Sequence, residues 1–301
     1  KKTASGALFA MEEVGEFGQG RLQIRTSDEA GKSWSAPRLL PSKAFEEKWE
    51  SGHSARPRLG TITRDGRWLL VLPKTLIKRG GYVNEFVRND ENGFGLWKSH
   101  GQRWGTEMYI LYSDDQGHTW KGLDKPVDTS PLNQVAWSHT GIHEQDDGTL
   151  VINLWGSKTS EDVSAGLAGI ILLRSRDGGT NWGDPTIVAY GTPENGYRFS
   201  ENDFVVYPDD TWVFLSRLAF RRRMHNWGLA TVRMVSHDRG RTWSDRLPTP
   251  NSWATSKEVP TLHRVIAPNG TKRIIMWSGM YPARLAVTED VGETWSELKP
   301  V

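Results

Sequence analysis

The sequence predicts an all-β fold, a β-propeller built of four-stranded antiparallel blades, and three observations predict it. The pattern Ser/Thr-x-Asp-x-Gly-x-x-Trp recurs as "SDDQGHTWK" (113–121), "SRDGGTNWG" (175–183), "SHDRGRTWS" (236–244) and "TEDVGETWS" (288–296). A looser copy, "TSDEAGKSWS" (26–35), reads as carrying one extra residue before its Gly. The repeat tryptophans are Trp34, Trp120, Trp182, Trp243 and Trp295, in steps of 86, 62, 61 and 52 residues, and self-similarity at such periods marks repeat architectures. Every copy follows an apolar or alternating run, and no long helical period interrupts the chain.

Each repeat is expected to be a hairpin turn. Asp and Ser/Thr side chains can bond turn amides, Gly supplies a residue with positive φ, and the Trp opens the return strand and packs back onto the sheet. In chain order, "GRLQIRT", "EMYILYS", "AGIILLRS", "ATVRMVS" and "ARLAVTE" read as the strands that enter these turns. The segments 55–73, 139–155, 200–217 and 257–277 each read as strand, Asp/Asn/Gly turn, strand, so each unit offers the four strands of a blade. Residues 78–106 separate two strands of the second blade and account for the longest step. They are expected to form a mostly irregular loop that folds over the channel mouth and brings Trp97 or Trp104 towards a ligand.

At 301 residues and 37% hydrophobic content the chain suits one propeller domain spanning 1–301. A formal charge of +2 with acids and bases interspersed implies no nucleic-acid surface. The longest apolar run, "AGLAGIILL" (165–173), is too short to cross a bilayer. Cysteine is absent, which excludes disulfides and thiol catalysis. No His/Asp/Glu spacing forms a metal site, and no cofactor is expected. Of the 15 tryptophans, Trp68, Trp155, Trp212 and Trp277 fall on second strands, where blade packing accounts for them. Loop tryptophans such as Trp97 and Trp104 either anchor loops or stack on the apolar faces of sugar rings.

The five repeats resemble the Asp boxes of the sialidase superfamily, whose catalytic members are six-bladed propellers. In that family the boxes lie on the face away from the active site. The resemblance implies an exo-acting glycoside hydrolase of terminal sialic acid or a related acidic sugar, in a secreted or periplasmic location. The segment "YRFSENDFVVYPDDTWVFLSRLAF" (197–220) is similar to the sialidase stretch in which a Glu opens an innermost strand and an Arg ends the next. Glu201 and Arg217 take those places. The resemblance gives Glu201 the role of assisting a tyrosine nucleophile and Arg217 that of binding the substrate carboxylate. The chemistry stands independently, because a carboxylate can take a phenol's proton and a guanidinium pairs bidentately with a carboxylate.

Arg284 matches the family's third carboxylate-binding Arg, just before the strand that enters the last repeat. Arg198, in the same segment as Glu201, is a further substrate-binding candidate. The family's acid/base Asp falls in a loop where this chain offers Glu13 and Glu16, with Glu16 the nearer match and so the second catalytic candidate. The first carboxylate-binding Arg and the nucleophilic Tyr have no motif match, and Tyr281 precedes the place expected for the latter. About five blades' worth of sequence is present. The expectation is an excerpt of a six-bladed protein, with a compact five-bladed variant as the alternative.

Rival readings use the same scaffold. "WSHTGIHE" sets His139 and His143 four residues apart on an expected innermost strand, on one face by strand alternation. That pair suits a polysaccharide lyase, in which His abstracts a proton beside a uronate carboxylate that Arg neutralises. A glycosidase with the paired acids Glu201 and Glu258 is another possibility, and a glycan-binding propeller without catalysis is the last.

Overall fold

An antiparallel strand with apolar residues on both faces must be covered on both sides, and radially stacked sheets cover one another in that way. The computed structural model has this arrangement. It describes the chain apart from residues 1–7, 15–20, 40–53, 56–57, 77–83, 89–94, 100–104, 123, 134, 138–140, 208, 221–229, 245–246, 250–259, 267, 279–283, 298 and 301. The first blade holds β1 (Leu8–Val14), β2 (Arg21–Ser27) and β3 (Arg38–Leu39). In the second, β4 (Ser54–Ala55) and β5 (Arg58–Ile62) pair with β6 (Trp68–Leu76). A separate hairpin of β7 (Asn84–Arg88) and β8 (Gly95–Ser99) follows, then β9 (Gly105–Ser113) returns beside β6.

The third blade contains β10 (Val135–Trp137), β11 (Ile142–Glu144) and β12 (Leu150–Ser157), a short helix α1 (Ser160–Ala165), then β13 (Gly169–Ser175) and β14 (Gly183–Tyr190). The fourth is β15 (Tyr197–Val206), β16 (Trp212–Phe220), β17 (Ala230–Ser236) and β18 (Leu247–Pro248). The fifth is β19 (Pro260–Ile266), β20 (Lys272–Ser278), β21 (Arg284–Thr288) and β22 (Lys299–Pro300). Among the described residues no helix is long and apolar enough to cross a membrane.

Strand alternation places the core between blades. Leu150, Ile152 and Leu154 of β12 join Leu69 and Val71 of β6 in one cluster, while Val151 turns the other way onto Phe204, Trp212 and Phe214. On β16, Val213 and Leu215 face Leu262, Ile274, Met276 and Ala286 of the fifth blade. Each fully buried Leu, Ile or Phe contributes about 1.5–3 kcal/mol of transfer free energy, so the interfaces rather than the single sheets hold the fold.

The repeat turns have one geometry. Ser113, Ser175, Ser236 and Thr288 each accept the amide of the turn glycine at 2.7–3.0 Å through the side-chain oxygen. The Asp carboxylate two residues on accepts the hydroxyl of that Ser or Thr and an amide three residues or more ahead, as Asp238 does from Ser236 and Thr242. Both central residues carry positive φ, for example Arg239 at 59° and Gly240 at 72°, as a type I′ turn requires. A Cβ on Gly240 would stand 2.8 Å from the Trp212 ring, so glycine is needed there for contact as well as for φ.

The first blade's turn corrects the sequence reading. Ser27 accepts the Gly31 amide at 2.9 Å and Ser33 bonds Glu29 at 2.8 Å. The copy is therefore Ser27-x-Glu29-x-Gly31-x-x-Trp34 with no extra residue, Glu standing where the other turns have Asp.

Arginines fasten successive blades. Arg38 of the first blade donates to Gln116 and Gly117 carbonyls in the second blade's turn at 2.6 and 2.8 Å. Arg67 reaches Gly178 at 3.0 Å, Arg174 reaches Arg239 and Gly240 at 3.1 and 3.2 Å, and Arg233 reaches Val291 at 2.8 Å. Each time an Arg of one blade satisfies carbonyls that the left-handed turn of the next blade leaves unpaired.

Two further expectations change. Residues 78–106 were expected to be mostly irregular, but they contain the β7–β8 hairpin, in which Trp97 pairs with Phe86. Alternating residues such as "NEFVR" and "GLWKS" are enough to pair once the insertion folds back on itself. The expected continuous strand carrying both His139 and His143 is also replaced. β10 ends at Trp137 and β11 begins at Ile142, while only two residues of β12 separate their partners Trp155 and Ile152, so two strands stand where one was expected.

Candidate active site

The site grows from an irregularity in β15. Its pairing with β16 runs Phe199 to Leu218 and then Asn202 to Ser216, so Ser200 and Glu201 together oppose the single residue Arg217. This is a β-bulge, a device that re-aims a side chain. Its effect is visible on both sides. Phe199 and Phe204 both enter the core against the third blade despite an odd separation. Glu201 is turned to Arg217, whose Nη1 bonds its Oε2, and the two side chains are 22% and 21% exposed. Glu201 therefore lies within β15 rather than opening it, and Arg217 stands three residues before the end of β16.

By strand alternation Arg217 shares a face with Val213 and Leu215, the face turned to the fifth blade. Arg217 Nε is buried with no hydrogen-bond partner among the described residues. Arg198 lies on the same side, close enough to feel both partners. Burial is the main cause that lowers the proton affinity of its guanidinium, repulsion from Arg217 adds to it, and Glu201 opposes both. Arg198 is also exposed.

Polar groups beneath the bulge hold it. Asn202 donates to the Ser200 carbonyl at 2.5 Å, and Asn153 of β12 donates to the Asn202 carbonyl at 3.4 Å and to its side-chain oxygen. Asp203 is buried and ties three blades. Its Oδ2 accepts the Leu262 amide of β19 at 2.7 Å, its Oδ1 accepts the Phe204 amide at 2.8 Å, and His143 Nε2 of β11 lies 3.4 Å from Oδ1. His143 also rests on the Phe204 ring with centroids 4.1 Å apart. Asp203, Asn202 and Asn153 were not singled out from the sequence. The signal available was "SENDF", four polar residues inside an otherwise apolar strand.

The remaining candidates are placed less fully. Position 284 opens β21, at the end of that strand remote from the repeat turn, as Arg217 is on β16. Trp97 lies on β8, in the hairpin that leaves the second blade at the end remote from the repeat turn. Glu16, His139, Trp104, Glu258 and Tyr281 lie outside the described residues. Along β16 the repeat-turn end is Trp212, paired with Ser236, and Arg217 is five residues away. At about 3.3 Å per residue the Glu201–Arg217 pair and the turns are roughly 17 Å apart along the strands, at opposite ends of the blade.

Comparison with solved structures decides the architecture. A protein of unknown function from Dyadobacter fermentans superposes over 99% of this chain and 81% of its own, with a TM-score of 0.67 and 17% identity. The fold is that of the sialidase-like β-propellers. A Hadza microbial sialidase matches 99% of this chain at a TM-score of 0.66 and 18% identity, and the chain spans 57% of that protein. An α-L-arabinanase from Penicillium chrysogenum, solved with arabinobiose, matches all of this chain and 79% of its own at a TM-score of 0.61 and 16% identity. No protein-family model matches the sequence, and no curated protein matches it significantly. The propeller fold is thus shared with glycosidases acting on quite different sugars, and the choice between them rests on the side chains of this one.

Proposed function

We propose that this propeller is an exo-acting glycoside hydrolase that recognises a terminal acidic sugar, sialic acid or a close relative, by its carboxylate. One observation carries the reading: Arg217 is bonded to the carboxylate of Glu201, and the guanidinium of Arg198, on the same face of the sheet, is acted on by the charges of both. One positive charge is left over. A neutral pentoside gives that charge nothing to pair with, whereas a substrate carboxylate balances it and can take a planar fork from Arg217.

Glycoside hydrolysis needs one group to protonate the leaving oxygen and another to supply or activate a nucleophile. Glu201 is the described carboxylate placed beside the anion site, and it serves as the base. Glu16 is the candidate acid. The lyase reading asks His143 to abstract a proton, yet its Nε2 faces buried Asp203 and its ring lies on Phe204. Those contacts suit a residue that joins blades. A secreted or periplasmic location, where sialylated glycans are met, accords with this reading.

The experiment is a comparison of fluorogenic aryl glycosides. Release from an α-sialoside by the wild-type chain, lost in Glu201→Gln and in Arg217→Lys, supports the assignment. Release from an arabinoside but not a sialoside would replace it with a neutral-sugar hydrolase. An unsaturated product from a uronate polysaccharide, seen in the ultraviolet, would replace it with a lyase.

A further inference from the structure

We propose that Glu201 is a resident competitor for the anion site. In the empty pocket its carboxylate occupies Arg217, the incoming substrate carboxylate displaces it, and Arg198 then receives it. This rests on the acidic-sugar reading above and adds how Arg217 is balanced when the site is empty and how the site is opened.

The geometry points to it in three ways. The bulge leaves Glu201 opposite Arg217, so the guanidinium expected to grip the substrate is already engaged by a carboxylate of the chain. Arg217 cannot offer a free fork until that bond breaks, although its Nε remains unpartnered among the described residues. Arg198 lies three residues before Glu201 on the same strand, and its guanidinium makes no hydrogen bond among the described residues. Register opposite Ala219 puts Arg198 on the strand face that carries Arg217, and the charge of Glu201 acts on its guanidinium. A carboxylate flanked by two cations, bonded to one and near the other, needs only side-chain rotation to change partners. The blade itself need not move, because the bulge is pinned from below by Asn202 and Asn153.

The exchange also arms the base. While bonded to Arg217, Glu201 is engaged by the residue that must hold the substrate. Once displaced, it stands beside the bound sugar with an oxygen free. Binding of an acidic substrate and activation of Glu201 are then one event, and a neutral sugar, which cannot displace Glu201, leaves it engaged. Arg198 thereby sets specificity without touching the ligand.

The test is a double-mutant cycle. Affinity for N-acetylneuraminic acid and for its methyl ester is measured by calorimetry in low-chloride buffer. The proteins are wild type, Glu201→Gln, Arg198→Gln and the double variant, each checked for folding by tryptophan fluorescence. Removing the competitor in Glu201→Gln should tighten acid binding about tenfold, the size of one charge-assisted hydrogen bond, and leave ester binding unchanged. Glu201→Asp, too short to hold Arg217 equally well, should fall between. Arg198→Gln should weaken acid binding several-fold, and the double variant should bind like Glu201→Gln alone. Unchanged or weaker acid binding in Glu201→Gln overturns the proposal. So does an Arg198→Gln loss that persists undiminished in the double variant, because Arg198 would then touch the ligand itself. A wild-type protein that binds acid and ester alike would instead remove the acidic-sugar reading, and the exchange with it.

Discussion

Replacing Asp203 by Ala removes the carboxylate at which three inner strands meet. Its oxygens accept the Leu262 amide at 2.7 Å and the Phe204 amide at 2.8 Å, and both bonds are buried. Hydrogen bonds to charged groups contribute about 1.5–3 kcal/mol each, and a buried amide left without an acceptor bears its full desolvation cost. Loss of the two bonds should therefore destabilise the protein by about 3–5 kcal/mol, with the His143 contact adding little because that side chain is 28% exposed. Asp203→Asn keeps the shape but turns an NH2 towards one of the amides, and about half the loss is expected. Exposed Asp124→Ala is the control and should stay within ~0.5 kcal/mol of wild type. Urea unfolding followed by tryptophan fluorescence reads all three. A loss below ~1 kcal/mol for Asp203→Ala would refute the claim that this carboxylate ties the third, fourth and fifth blades at the channel.

Two other outcomes follow from the blade architecture. Arg174 is 5% exposed and donates to Asp184 and Thr186 in its own blade and to Arg239 and Gly240 in the next; Arg174→Met should cost about 3 kcal/mol or more in urea unfolding, and a cost near zero would mean the clasp is incidental. Bonds from the Thr119 and Thr242 hydroxyls hold the Asp115 and Asp238 carboxyls well below the usual range, and hydrogen bonds hold Asp290 at about 2 although its burial pulls the other way. Groups depressed on folding stabilise the native state above the unfolded pKa of about 3.9 and lose that contribution as pH falls through the folded value, so the urea midpoint should drop steeply between about pH 4 and pH 2. Asp238→Asn should flatten that drop, and an unaltered acid profile would contradict the assignment.

The repeats made the fold readable because each is a complete local signal: a hydroxyl, a carboxylate, a glycine and a ring at fixed offsets. Even the first turn, read as an insertion, carried the full pattern once Glu29 was allowed in the Asp place. The hairpin within 78–106 was missed because, among the described residues, its strands pair only with each other, and two short alternating runs inside a polar insertion give little signal. The site was legible in part. Glu201 and Arg217 stood out as residue types, but the bulge that brings them together depends on register against β16, which no strand reveals alone. Asp203 escaped notice for a similar reason: its partners, Leu262 and His143, lie 59 and 60 residues away along the chain.

Recognition of an acidic sugar by the guanidiniums around Glu201 is the central claim. Calorimetric titration of wild type and Arg217→Lys with N-acetylneuraminic acid tests it most directly, since lysine keeps the charge and loses only the planar fork. The account predicts measurable wild-type binding that falls about tenfold or more in Arg217→Lys. Equal affinity in the two proteins, or no binding by wild type, would contradict it.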